Sequence, residues 1–132
     1  MSATQSAIAT QFAKLRIESF TIQGVERLGY RVPRAGMPMA LFDDGPFGWS
    51  IAHVPSEKWI LRGEELSAVR AFEIAAAVAV AVGSQVHEPT VPHLVLRLYV
   101  FAELHNLSLT YEYIDDESRW VLRQRERLNP NR

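Results

Sequence analysis

Residues that could do chemistry are few in this chain, and they are scattered. His53 follows Trp49 and Ile51 at every second position, and Trp59 comes six residues later. An imidazole beside two indoles would make an aromatic pocket with one titratable group, suited to a small ligand or to proton transfer. The competing reading is a strand face whose polar end approaches a turn. His87-Glu88, His93 and His105 supply imidazole and carboxylate ligands, but His87 and His93 are separated by two prolines. No pair at the i, i+4 helical spacing of a zinc site occurs. Asp43-Asp44 and Asp115-Asp116-Glu117 cluster carboxylates at predicted turns, and Asp is favoured there because it bonds its own backbone.

Other chemistries lack their parts. The chain contains no cysteine, which excludes disulfides, thiolate catalysis and Cys-ligated metals. No serine sits in a Gly-x-Ser-x-Gly turn, and neither a phosphate-cradling loop nor a dinucleotide fingerprint is present. Catalytic residues, metal ligands and cofactors are therefore not assigned.

The C-terminal arginines are the strongest binding candidates. Arg119, Trp120, Arg123, Arg125 and Arg127 form a basic segment with one aromatic. In an extended chain the four arginines share a face opposite Trp120 and Leu122. Guanidinium forks suit carboxylates and phosphates, so a protein partner and a nucleic-acid backbone both fit. Pairing with the acidic middle of the same chain is the third reading. The charge is polarised: residues 1–35 sum to +3, residues 36–117 to −8 and residues 118–132 to +4, within a net −1. Twelve of the fourteen basic residues are Arg, a bias that genome base composition also produces.

The elements that position these groups can be read from periodicity. Leu66 to Gly83 contains no polar side chain after Glu73, and Ala71, Ala75, Ala79 and Gly83 recur every fourth residue. Six alanines between Ala71 and Ala81 favour helix over strand. The small stripe would admit a second backbone closely, in a core contact or in self-association. A helix apolar all round is expected to be buried. A second apolar helix is predicted over 91–105, capped by Thr90 and carrying Leu94, Leu98 and Phe101, with a strand as its alternative. Ile8, Phe12 and Leu15 predict an N-terminal helix over 4–16. Residues 17–32 are ambiguous between helix and strand.

Three short strands across 39–62, joined by Asp43–Gly48 and Pro55–Glu57, predict an antiparallel meander that Gly63 ends. Leu107, Leu109, Tyr111 and Tyr113 alternate with polar residues, the clearest half-buried strand pattern. A C-terminal strand or hairpin over 107–125 follows, with a basic helix to Leu128 as the alternative. The expected architecture is one α+β domain over 1–132, ending in a short flexible tail at 129–132.

A chain of 132 residues can bury a core without disulfides. No secretory leader is visible and the longest apolar run falls short of a membrane span. A cytoplasmic protein that does not enter membranes is expected. With no catalytic constellation, abundant apolar helix and polarised charge, the leading expectation is a non-enzymatic interaction module. It would be an accessory or inhibitory protein acting by occupying a partner's surface, with a homodimer as one possibility. Nucleic-acid binding through the arginines is the alternative, and a ligand or substrate site at Trp49, His53 and Trp59 the second.

Overall fold

The computed structural model describes residues 14–33, 37–83, 88–109 and 113–128. Five strands run in sequence order: β1 (Ile17–Ile22), β2 (Val25–Arg31), β3 (Met39–Asp43), β4 (Trp49–His53) and β5 (Lys58–Leu66). Each pairs antiparallel with the next, giving one sheet of order β1-β2-β3-β4-β5. Three helices follow: α1 (Ala68–Val82), α2 (Val91–Leu104) and α3 (Asp116–Leu128). The class is α+β, as the segregation of strand and helix signals predicts.

The meander is longer than expected at both ends. Residues 17–32 form a hairpin, not a helix. Ile22 pairs with Val25, and the two loop residues Gln23 and Gly24 have φ of 51° and 78°. Two positive φ values make the turn whose twist matches antiparallel strands. Gly63 does not end the sheet. It takes φ of 80° inside β5, where the register slips so that Leu61 faces Ile51 and Leu66 faces Trp49. A bulge of this kind lets the strand continue past a residue that propensity reads as a break.

Strand alternation divides the sheet into two faces. Met39, Leu41, Ile51 and Ile60 pack with α1 and α2 in the main core. Ala40, Phe42, Ala52 and Trp59 form a second buried cluster with Phe20 and Ile22. Because β3 is buried on both faces, its sequence is a continuous apolar run without alternation. On the second face Phe20, Phe42 and Trp59 form an edge-to-face column with ring centroids 5.6 and 5.7 Å apart. Gly29 makes room for it: a Cβ there would lie 2.5 Å from the Phe42 ring.

α1 begins at Ser67, whose hydroxyl accepts from the Arg70 N–H at 3.1 Å. Ala71, Ala75 and Ala79 are buried beneath it. The helix is not buried all round, however: Val80 is 67% exposed and Ala81 is also exposed. Its two sides differ in packing without differing in polarity, so composition alone overstates its burial. α2 has Thr90 at its N-cap and Pro92 in its first turn, as expected. It ends where Asn106 takes φ of 53° and the Leu107 N–H donates to Ala102 O at 2.8 Å. That bond, with Asn106 N–H to Glu103 O, is the Schellman termination.

The C-terminal strand or hairpin is the main correction. Leu107–Leu109 is unpaired coil, and 119–125 lies within α3. Leu107 and Leu109 alternate because an extended, unpaired segment lays both against the core. The cluster at 115–118 is the start of a helix. Asp115 O accepts from the Arg119 N–H at 3.1 Å, and its Oδ1 from the Ser118 N–H at 2.9 Å. Acidic Asp116 and Glu117 in the first turn and Arg125 and Arg127 in the last complement the helix dipole. Of the expected N-terminal helix, residues 14–16 are not helical and the rest lies outside the described residues, as do the tail at 129–132 and His87.

Candidate functional site

The residues expected to line one pocket lie on both sides of the sheet. Trp49 packs beside the main core, with its ring centroid 5.8 Å from that of Tyr30. Trp59 belongs to the second cluster. His53 is on the Trp49 side, paired with Met39 and Lys58, and is buried. Both its nitrogens are engaged. Nδ1 accepts from the Ser56 N–H at 3.3 Å and lies 2.6 Å from the Ser56 hydroxyl, which leaves Nε2–H to donate to Pro89 O at 2.9 Å. Burial holds His53 below its usual pKa, against the pull of the Pro89 bond and with help from the Lys58 charge. A neutral imidazole with two satisfied bonds ties the β4–β5 turn to the start of α2. Its geometry is that of a structural clamp.

The paired carboxylates divide in the same way. Asp43 Oδ1 accepts from the Gly45 N–H at 3.2 Å, a turn role. Asp44 is buried on the second face, where it accepts from Arg62 Nε at 2.6 Å, from Ser50 Oγ at 3.0 Å and from Arg27 at 3.1 Å. Burial alone would raise its carboxyl, but the hydrogen bonds from Arg62 and Ser50 and the two positive charges hold it below the ordinary range. Both guanidiniums lie over Trp59, at 5.1 and 4.8 Å from its centroid, and Arg62 also faces Phe47 and Tyr113. Sequence reading placed Asp44 in a turn and missed this role. Asp115 likewise serves structure. Burial opposes its ionisation, but bonds from Ser118 and from Lys58 Nζ at 3.0 Å lower its pKa. Among the described residues no three His, Asp or Glu side chains gather as a metal site would require. Glu88, His93 and His105 are exposed, and His93 Nδ1 accepts from the Thr90 N–H at 3.0 Å.

Ala71, Ala75 and Ala79 are buried within the chain, and Gly83 closes α1 at partial exposure. The arginine segment is regrouped by its helical conformation. Arg119, Arg123 and Arg127 recur at i, i+4 and i+8 on one side, with Trp120 beside them. Arg125 turns away. It forks onto Glu103 at 3.1 and 3.0 Å and lies 5.1 Å above the Tyr99 ring, and these contacts raise its pKa. Burial and the nearby Glu126 and Glu103 raise the Tyr99 hydroxyl. Arg119 Nε donates to Ile114 O at 3.3 Å.

What helix formation adds is a groove. Leu96, Arg97 and Val100 of α2 and Val121, Gln124, Arg125 and Leu128 of α3 line an open cleft of about 380 Å³. Its lining is largely apolar. Leu128 in its lining is 81% exposed, and Leu104, 74% exposed, and Trp120, 59% exposed, lie outside it on the same two helices. Arg97, Arg123 and Arg127 form no ion pair among the described residues. The signal for this site was the spacing of Trp120, Gln124 and Leu128, which is legible only once 116–128 is read as helix.

No protein-family model, no curated protein and no solved structure matches this chain.

Proposed function

We propose that this chain is a non-enzymatic protein-interaction module, accessory or inhibitory in action, and that it docks its partner on the α2–α3 face. One observation carries the reading: an apolar groove lies open between α2 and α3, with Leu128 exposed in its lining, Leu104 and Trp120 exposed on the same two helices, and Arg97, which forms no ion pair among the described residues, at its edge. Contiguous exposed apolar surface with a polar rim is the anatomy of a docking site, and Trp and Arg are the side chains that most often dominate binding energy. His53, Asp44 and Asp115, the groups that sequence would nominate for proton chemistry, are all committed to hydrogen bonds within the fold.

Nucleic-acid binding is the second reading, favoured by the i, i+4, i+8 spacing of Arg119, Arg123 and Arg127. Asp116, Glu117 and Glu126 on the same helix count against a long phosphate track.

The test is affinity capture from source-cell lysate at about 50 mM salt, where electrostatic contacts persist. The bait is compared with Val100→Asp and Val121→Asp in the groove and Val80→Asp on the outer side of α1. A stoichiometric protein companion kept by Val80→Asp and lost by both groove variants supports the reading. A companion indifferent to all three overturns the groove as the docking site. Nucleic acid alone, released when Arg123 and Arg127 become alanine, moves the function to the second reading.

A further inference from the structure

The described helices cover one part of the sheet. α1 packs on β3 and β4, α2 on β5 and on α1, and α3 on α2. No described helix packs to a like extent on β1 and β2. Two strands spaced about 4.8 Å apart are one helix wide, since a helix with its side chains is about 10 Å across. We infer that the helix-bearing side of the β1–β2 hairpin seats the chain's own N-terminal segment, residues 4–13, through Ile8 and Phe12.

Three features select that occupant. First, the floor is apolar. Tyr30 packs against the main core, so Ile17, its partner in register, lies on the same side, as do Ser19 and Leu28, two residues along. Ile17 and Leu28 are exposed, and half-buried Tyr30 and Trp49 set their rings 5.8 Å apart beside them. Second, the chain enters from this side. Leu15 packs against the main core although it is not helical. Three residues span at most about 11 Å, so Phe12 is tethered to the neighbourhood of Leu15, Ile17 and Tyr30. The α2–α3 groove lies on the far side of α1, at helix spacings of about 8–10 Å each, and is the less reachable seat.

Third, the segment matches the floor in chemistry. Residues 1–13 carry no charged side chain, and Ala7, Ala9 and Ala13 favour helix. A helix over 4–13 would be about 15 Å long and would bring Ile8 and Phe12, four residues apart, to one side. A short tether also holds the segment at an effective concentration of about millimolar, which an unlinked partner would have to exceed.

The chain's lack of cysteine allows a single nitroxide label on Thr10→Cys, on the side of the segment away from Ile8 and Phe12. The full-length labelled chain, isotope-enriched, is diluted into a large excess of unlabelled, unenriched chain, so that only contacts within one molecule are read. Amide signals of Leu28, Tyr30 and Trp49 are expected to lose most of their intensity, and those of Val100 and Val121 to keep theirs. Phe12→Asp in the labelled chain should return the lost intensity, and the parent pattern decides on its own if that variant fails to fold. Uniform intensity along the chain overturns the inference. Loss centred on Val100 and Val121 also overturns it and puts the segment in the groove. Loss at Tyr30 and Trp49 that arises only between labelled and enriched copies assigns the floor to a second copy's segment, which overturns it as well. Loss that Phe12→Asp leaves unchanged in a folded chain overturns the apolar stripe as the anchor.

Discussion

Replacing Asp44 by alanine removes the anion that holds two arginines together on the second face of the sheet. Three hydrogen-bond partners lose their acceptor: Arg62, Ser50 and Arg27. Breaking a buried ion pair by deleting one partner costs about 3–5 kcal/mol, because the other charge is left uncompensated. Here the arginine side chains retain 26% and 19% exposure and stay stacked on Trp59, so water and the indole absorb part of that loss. The low end, about 3 kcal/mol, is the expected cost at pH 7, and it lowers Tm by roughly 10 °C for a chain of this size. The pH dependence fixes the origin. The folded carboxyl is held below the ordinary Asp value, so its stabilisation is present above about pH 4 and is lost as pH falls through the folded pKa. Urea unfolding of wild type and Asp44→Ala from pH 7 to pH 2.5 is the assay, with the two curves converging at the acid end. A difference under about 1 kcal/mol at pH 7, or one that persists unchanged at pH 2.5, would refute the ion-hub account.

His53→Gln should flatten a different window. Burial keeps the folded imidazole below its unfolded pKa of about 6.5, so wild-type stability falls as pH drops below that value, and the variant should lack this slope in urea midpoints between pH 8 and pH 5. Gly29→Ala sets a methyl against the Phe42 ring and Leu41 O and is expected to cost about 1–3 kcal/mol by overpacking, measurable as a lowered denaturation midpoint. Ala75→Leu at a fully buried position of α1 should cost a similar amount, whereas Val80→Leu on the exposed side should stay within about 0.5 kcal/mol. Asn106→Ala forces a Cβ-bearing residue without a local bonding side chain into the left-handed region and should lower stability by about 1 kcal/mol. An unchanged midpoint would argue against the Schellman termination of α2.

α1 and α2 are legible because alanine propensity, the spacing of Ala71, Ala75, Ala79 and Gly83, and the Thr90 cap all point to helix. Strands β3 to β5 are legible because their turns carry Gly and Pro. The β1–β2 hairpin is harder to read, since Ile17, Phe20, Val25 and Leu28 also fit one helical face and only the Gln23-Gly24 turn decides between them. At Leu107–Leu109 the alternation belongs to coil and not to a strand, so a period of two was a poor guide there. Reading Asp115 as a turn residue instead of a helix cap left α3 as the alternative to a strand, and the groove unread. Trp49 and Trp59 show a limit of another kind. A bulge in β5 and the parity of each strand set which face a side chain takes, and neither can be counted from spacing across a turn.

The sheet's strand order has a consequence for synthesis. Every strand neighbours the one made just before it, so the whole sheet can assemble by successive hairpins as far as Leu66, before any helix is complete. Met39, Leu41, Ile51 and Ile60, which later lie under α1 and α2, have no cover at that stage. The nascent chain therefore presents a bare apolar surface until about residue 98 has emerged from the ribosome. That interval of roughly 5 s, at the usual several residues per second, is when a chaperone would be most useful to this protein.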